Sequence, residues 1–168
     1  MSNSITAGSP EETTLAPFGS LDDVRAYMRA QPHHPDCYKT THRFANGMYC
    51  RTFWMPAGHL VIGAKQRHEH VFMVLRGETK IYTDKGGVQS FSAGDSFVSS
   101  AGPGRAVYSV TDAELMTIHR LPDPEERDLE KIWNALVDAE GIPRLYDANN
   151  RLLDKALTET EFLPLRQE

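Results

Sequence analysis

The sequence has few cysteines, no long apolar run and no concentration of basic residues. Cys37 and Cys50 are the only cysteines among its 168 residues. Two cysteines outside a CxxC motif are too few for a disulfide framework, so a reduced, cytosolic chain is expected. Because no run of about 18 apolar residues occurs, no membrane span is predicted, and the first residues lack the basic and apolar regions of a secretory signal. Lysine and arginine are scattered in a chain of net charge −5, so nucleic acid is not an expected partner.

A chain of this length is expected to form one compact domain, and its pattern changes three times. Residues 1–19 are rich in small and polar side chains that cannot offset the entropy of ordering, so a flexible N-terminal arm is predicted. Residues 20–46 are predicted to hold a helix and a lead-in loop, with Ser20 as the N-cap. Residues 47–121 are predicted to form a β-barrel, and residues 122–168 a C-terminal helix and arm.

The central region alternates apolar and polar residues with a period of two. The segments predicted as strands are 48–55, 59–63, 70–76, 79–83, 88–91, 96–100, 105–110 and 114–121. Gly77, Gly87 and Gly94 fall where the chain must reverse, and a positive φ is expected at such positions. Short strands at this spacing without intervening helices are typical of an antiparallel jelly roll. The predicted fold class is therefore mainly β: one jelly-roll β-barrel with a short N-terminal helix and a C-terminal helical extension.

The C-terminal region has a helical pattern. Asp123 followed by Pro124 predicts the start of a helix. Its apolar stripe must cover either the outside of the barrel or a neighbouring subunit. Leu129, Trp133 and Leu136 are the residues predicted to form a subunit interface, and a homo-oligomer is expected.

Two stretches of the central region carry a resemblance to a known family. "HVFMVLRGE" (70–78) resembles the strand and turn of the first cupin motif, and "GDSFVSSAGPG" (94–104) resembles the second. The resemblance implies a cupin-type jelly roll. In the register of those motifs, the glutamate position falls on His70 and the second-motif histidine position falls on Arg105. The usual three-histidine, one-glutamate ligand set is therefore not kept in register.

A narrower resemblance covers "FWMPAGHLVIGAKQRHEHVFMVLRGETKIYTDKGGVQSF" (53–91) and "MTIHRLPDPEERDLEKIW" (116–133). These stretches are similar to small uncharacterised cupin-like proteins encoded by tailed bacteriophages. The resemblance implies a phage-encoded protein in the host cytoplasm or the virion, with other virion proteins as partners. It implies no particular reaction.

The histidines support two interpretations. His68 and His70 would point to one face if both lie on a strand, and His119 near the end of the last strand is the candidate third ligand. Three imidazoles with an open position suit one divalent transition metal, with Gln66 or water completing the set. The alternative is that His70 and His119 are polar groups of the barrel interior, hydrogen-bonded to a tyrosine or to water, with no cofactor.

A second candidate site lies at the predicted mouth of the barrel. Arg105 follows Gly102-Pro103-Gly104 and is a candidate to bind a carboxylate or a phosphate. The alternative is that it caps a turn or pairs with an acidic residue of a neighbour. Tyr82 and Tyr108 are predicted to line the same ligand site.

Two function classes follow from these patterns. The first is a non-catalytic cupin-like assembly or binding protein, and its narrower form is a virion component that docks through its terminal arms. No catalytic residue is assigned in this class. The alternative is a metal-dependent cupin enzyme, a small-molecule dioxygenase or isomerase, that uses the barrel histidines.

Overall fold

The computed structural model describes residues 19–29, 38–102 and 104–138. All but Gly19 of the predicted N-terminal arm (1–19), and the tail beyond residue 138, lie outside the described residues. In chain order the elements are α1 (Leu21–Arg29), β1 (Lys39–Ala45), β2 (Met48–Met55), β3 (Leu60–Ile62), β4 (Lys65–Gln66), β5 (His70–Arg76), β6 (Glu78–Thr83), β7 (Gly87–Ser92), β8 (Ser96–Ser99), β9 (Ala106–Ser109), β10 (Ala113–Arg120), α2 (Leu129–Leu136) and β11 (Val137–Asp138).

The strands form two main antiparallel sheets that enclose an apolar core. The five-stranded sheet has the order β1-β2-β10-β5-β8, and the four-stranded sheet has the order β3-β9-β6-β7. β10 pairs with both β2 and β5 although it follows them by many residues, which is the kind of connection a jelly roll requires. The buried core cluster draws on both sheets: Met55, Phe72, Val74, Ile81, Val107, Ala113 and Leu115. The predicted mainly-β, jelly-roll fold is confirmed.

Each of the eight predicted strand segments contains a strand with bounds within one or two residues of those expected. The positive φ values expected at the turns are also present, at 81° for Gly77, 62° for Gly87 and 95° for Gly94. At Gly77 a Cβ atom would lie 2.2 Å from the carbonyl oxygen of Asp112. No side chain fits there, so this turn requires glycine.

The sheet begins earlier than residue 47. β1 lies inside the segment expected to be a lead-in loop and pairs along its whole length with β2, from Lys39 opposite Trp54 to Ala45 opposite Met48. It is an edge strand without a fully buried residue, so its sequence lacks the apolar alternation that marks the other strands.

Helix α1 covers the outer face of the four-stranded sheet. It starts as predicted after Ser20, whose hydroxyl accepts a hydrogen bond from the Asp23 N–H at 3.2 Å. Leu21 and Val24 pack with Tyr82 and Tyr108 in a second buried cluster.

Helix α2 begins later than the sequence predicted. Its N-cap is Asp128, whose carboxylate accepts from the N–H groups of Glu130 and Lys131. Asp123 instead accepts from the Glu125 N–H at 3.0 Å in a preceding turn. The predicted N-cap was therefore wrong, because a local turn uses the Asp123 side chain.

Helix α2 packs on the chain's own barrel. Ile132 and Leu136 are buried with Tyr49 and Leu121 in a third cluster. After the helix, Val137 pairs with Gln66 of β4. Among the described residues, no helix has the length and hydropathy needed to cross a bilayer.

Candidate anion site in the barrel

His70 and His119 lie side by side inside the barrel. His70 is the first residue of β5, and His119 follows Ile118 of β10, which pairs with Val71. The two imidazole rings are stacked with their centroids 4.6 Å apart, and each residue is only 5% exposed. The expectation that both histidines lie in the barrel interior therefore agrees with the structure.

Arg105 reaches this pair from the opposite sheet. Its backbone is fixed just before β9, where the Gly63 N–H donates to the Arg105 carbonyl at 2.9 Å. The two chain segments come so close that a Cβ atom on Gly104 would lie 2.5 Å from the Gly63 carbonyl oxygen. The glycine before Arg105 thus permits the close approach that directs this side chain inward.

The Arg105 guanidinium is held by one strand pair of the five-stranded sheet. Nη2 lies 3.0 Å from His70 Nε2 and donates to the Ser99 hydroxyl. The guanidinium carbon is 4.8 Å from the ring centre of Phe72 and 5.6 Å from that of Phe97. These contacts come in register, because His70 pairs with Ser99 and Phe72 pairs with Phe97.

The arginine also determines the tautomer of His70. A guanidinium has only donors, so Nε2 of His70 must accept, and the ring proton is on Nδ1. Nδ1 lies 3.4 Å from the backbone carbonyl of His68, which accepts that proton. Both ring nitrogens of His70 therefore have protein partners.

Burial lowers the pKa values of His70, His119 and Arg105, and this determines the charge of each side chain at neutral pH. The pKa of His70 is lowered from 6.5 to about 4, first by burial and then by the charge of Arg105. The pKa of His119 is lowered to about 3, first by burial and then by the neighbouring His70. Burial also lowers the pKa of Arg105 to about 10. At neutral pH the site thus holds two neutral imidazoles and one positive charge.

That positive charge has no counter-ion within the described part of the chain. Arg105 is 8% exposed, and its Nη1 is buried without a hydrogen-bond partner. The ion pairs Arg25–Asp22 and Lys131–Glu126 do not involve it. A buried charge without a partner is costly, so a bound anion would stabilise this arrangement.

The donor set does not fit a transition metal in this arrangement. His68 lies outside β5 and is exposed, so the predicted three-histidine set is reduced to two. The Nε2 lone pair of His70 accepts from Arg105 at 3.0 Å and cannot ligate a metal at the same time. Within the described segments, no group of three histidine, cysteine, aspartate or glutamate side chains could hold a metal.

A depression lies at one end of the five-stranded sheet, next to the two histidines. Its volume is about 550 Å³, and its lining includes Glu69, His70, His119 and Arg120. On β2, the Tyr49 hydroxyl is 2.7 Å from His42 Nδ1, and burial raises the pKa of Tyr49 to about 12. The Tyr49 ring lies 6.1 Å from the ring of His119, so polar side chains connect the histidine pair to the edge strand β1.

The other predicted ligand residues do not join Arg105. Tyr82 and Tyr108 lie on the outer face of the four-stranded sheet, beneath α1. Their neighbours Ile81 and Val107 face the core instead.

The three residues predicted to form a subunit interface differ in burial. Leu136 is buried against its own barrel, and Leu129 and Trp133 are partly buried around the same cluster. A subunit interface at these three residues stays a prediction.

Sequence reasoning missed Ser99 and Phe97 as members of the site. Both face inward on β8, directly opposite His70 and Phe72 of β5. They could have been found only from the pairing of β8 with β5, and the sequence does not specify which strands pair.

Comparison with solved structures finds neighbours of the cupin superfamily. An RmlC-like cupin from Shewanella frigidimarina is 23% identical over 56% of this chain and 84% of its own, with a TM-score of 0.45. KdgF from a Halomonas species is 14% identical over 55% and 87%, with a TM-score of 0.46. Ectoine synthase from P. lautus is 10% identical over 54% and 67%, with a TM-score of 0.44. These values describe similarity of fold and assign no activity.

No protein-family model matches the chain, and the search of curated proteins found no match. The structural neighbours include enzymes and proteins of unknown function alike.

Proposed function

We propose that this barrel is a non-catalytic binding module that takes a small anionic ligand on Arg105, without a metal. The observation that carries the proposal is the buried guanidinium whose Nη1 has no hydrogen-bond partner. A carboxylate or phosphate oxygen at Nη1 would satisfy this donor and neutralise the charge.

The surroundings of Arg105 favour a ligand with an apolar body. Phe72 and Phe97 stack at 5.1 Å, and Phe91 lies 5.0 Å from Phe97. Phe91 and Phe97 face inward but are only partly buried, so they leave apolar surface for a ligand to cover. A carboxylate joined to an aromatic ring or a short hydrocarbon matches both features.

Thermal melting of the full chain with benzoate, succinate and inorganic phosphate as probes tests this proposal. A ligand at one hundred times its Kd adds about 2.7 kcal/mol, which corresponds to a rise in Tm of roughly 8 °C for a domain of this size. The rise is expected to disappear in Arg105→Gln. Arg76→Gln is the matched control, because Arg76 is an exposed arginine on β5 and its loss should leave the rise unchanged.

Two results would contradict the proposal. One is an equal rise in Tm in wild type and Arg105→Gln, which would place the anion elsewhere. The other is a stoichiometric transition metal in untagged wild-type protein that is lost in His70→Ala and His119→Ala, which would favour the metal-dependent enzyme.

The narrower expectation, a phage-encoded virion component that docks through its arms, rests on the sequence resemblance alone. Its test is mass spectrometry of purified particles from a lysate that contains the protein.

A further inference from the structure

His119 is a buried polar side chain that the barrel itself does not hydrogen-bond. It is 5% exposed, and its ring lies 4.6 Å from that of His70 and 6.1 Å from that of Tyr49. Within the described part of the chain, no hydrogen bond joins either ring nitrogen of His119 to another residue. Buried polar groups are ordinarily hydrogen-bonded, so this imidazole is suited to bind a ligand.

His119 and Arg105 border the same space, because both contact the ring of His70. His119 stacks on the face of that ring, and Nη2 of Arg105 lies 3.0 Å from its Nε2 edge. The other terminal nitrogen of the guanidinium, Nη1, is buried without a hydrogen-bond partner. One small molecule can therefore reach the free donor of Arg105 and the imidazole of His119 together.

The interior beside His119 is not filled by side chains. Thr117 of β10 pairs with Phe72 and so points into the barrel with it. Thr117 is nevertheless only partly buried, as are the inward-facing Phe91 and Phe97. The inner face of the sheet thus keeps accessible surface next to both polar groups.

The chemistry of His119 favours a hydroxyl group as its partner. Burial lowers the pKa of His119 to about 3, so at neutral pH the ring has one N–H donor and one lone pair. A hydroxyl donates and accepts, and it can therefore bond to whichever nitrogen faces it. A carboxylate can only accept.

A second carboxylate would also bring a second negative charge to the site. Arg51 is the other positive group that acts on His119, but its guanidinium lies over the ring of Phe53 at 5.7 Å. Phe53 pairs with Leu115, four residues along β10 from His119. The charge placed directly at the histidine pair is that of Arg105, and it matches one anionic group.

We infer that the ligand of this barrel is a hydroxycarboxylate, whose carboxylate binds Nη1 of Arg105 and whose hydroxyl hydrogen-bonds to His119. The inference rests on the proposed function and adds to it the second polar group of the ligand. In this arrangement Arg105 supplies the charge that holds the acid, and His119 determines which acids are preferred.

Isothermal titration calorimetry of the full chain at pH 7 tests this with a matched series of four-carbon acids. The series consists of butyrate, its 2-, 3- and 4-hydroxy derivatives, and succinate. One or more of the hydroxybutyrates should bind about tenfold more tightly than butyrate, because butyrate leaves the buried imidazole unpaired. Succinate should lack this gain, since its second carboxylate cannot donate to His119 and carries an unmatched charge.

Three variants separate recognition from a structural role. His119→Phe keeps the ring but not its nitrogens, so it should reduce the affinity for the preferred hydroxybutyrate to that for butyrate and leave the butyrate Kd unchanged. A merely structural histidine would weaken both acids equally. His119→Gln keeps a donor and an acceptor and should retain part of the preference. His68→Phe is the matched control, because His68 is exposed, and it should change neither Kd.

The inference and the proposed function fail in different ways. If wild type binds butyrate and all three hydroxybutyrates equally, and Arg105→Gln binds none of them, the Arg105 site stands and the role of His119 is overturned. A hydroxyl preference that survives in His119→Phe overturns it as well. Succinate binding more tightly than every hydroxybutyrate would assign a second charge to the ligand in place of the hydroxyl. No binding of any of these acids to wild type would overturn both.

Discussion

The stacked histidines should make the stability of this barrel depend on pH just below neutrality. The pKa of His70 is lowered from 6.5 to about 4 and that of His119 from 6.5 to about 3, mainly by burial. Above pH 6.5 both histidines are neutral in the folded and unfolded chain, so neither changes the free energy of unfolding. Below 6.5 the unfolded chain takes up protons that the folded chain does not, so stability falls as the pH falls.

The loss of stability at pH 5 depends on proton uptake by the unfolded chain alone, since the pKa values of both histidines in the folded chain lie below pH 5. Each pKa unit corresponds to about 1.4 kcal/mol, so lowering the pH by about 1.5 units costs about 2 kcal/mol per histidine. The pair together costs about 4 kcal/mol, a large part of the roughly 5–15 kcal/mol that stabilises a typical domain. The positive groups around His119, Arg51 and Arg105, act in the same direction.

Urea denaturation at pH 7 and at pH 5 measures this loss. His119→Phe keeps a ring beside His70 but cannot be protonated, so it should reduce the loss between the two pH values by about 2 kcal/mol. Leu115→Ala is a control for destabilisation itself, because Leu115 is a buried core residue that does not titrate. Its loss of stability should be the same at both pH values. A wild type equally stable at pH 7 and pH 5 would refute the reasoning.

Two further predictions concern single side chains. Arg105→Met removes a buried charge without a counter-ion and should raise the free energy of unfolding of the ligand-free protein by at least about 1 kcal/mol. Urea denaturation measures it, and a large loss of stability would show that the charge is compensated. Asp128→Ala removes the N-cap of α2 and should cost about 1 kcal/mol in the same assay. Asp123→Ala, which changes only an exposed turn, should cost less, and the reverse order would contradict the observed helix start.

The fold could be predicted from sequence because most strands carry two concordant signals. Period-two apolar residues mark the strands, and Gly77, Gly87 and Gly94 mark the reversals. β1 lacks the first signal, because an edge strand with no fully buried residue needs no apolar alternation. The start of α2 was predicted too early, because the sequence around Asp123 suits an N-cap but the Asp123 side chain is used in a local turn and Asp128 caps the helix.

The candidate site could be predicted only in part. His70 and His119 were expected in the interior from the cupin resemblance and from their places on predicted strands, and each is 5% exposed. Tyr82 and Tyr108 were predicted to share a ligand site with Arg105, but they lie on the outer face of their sheet. Both faces of β6 and β9 are covered, so these strands are apolar on each side. A strand buried on both faces has no alternation from which the inward side can be read.

Arg105 is the residue at which the two proposed function classes make opposite demands. Its guanidinium donates to His70 Nε2 at 3.0 Å. That lone pair can serve either the arginine or a metal ion, and a fixed positive charge beside it repels a cation further. For the metal reading to hold, the Arg105 side chain would have to leave its contacts with Ser99, Phe72 and Phe97. Binding of an anion would require no such movement of Arg105, because its Nη1 donor is already buried at the site without a hydrogen-bond partner.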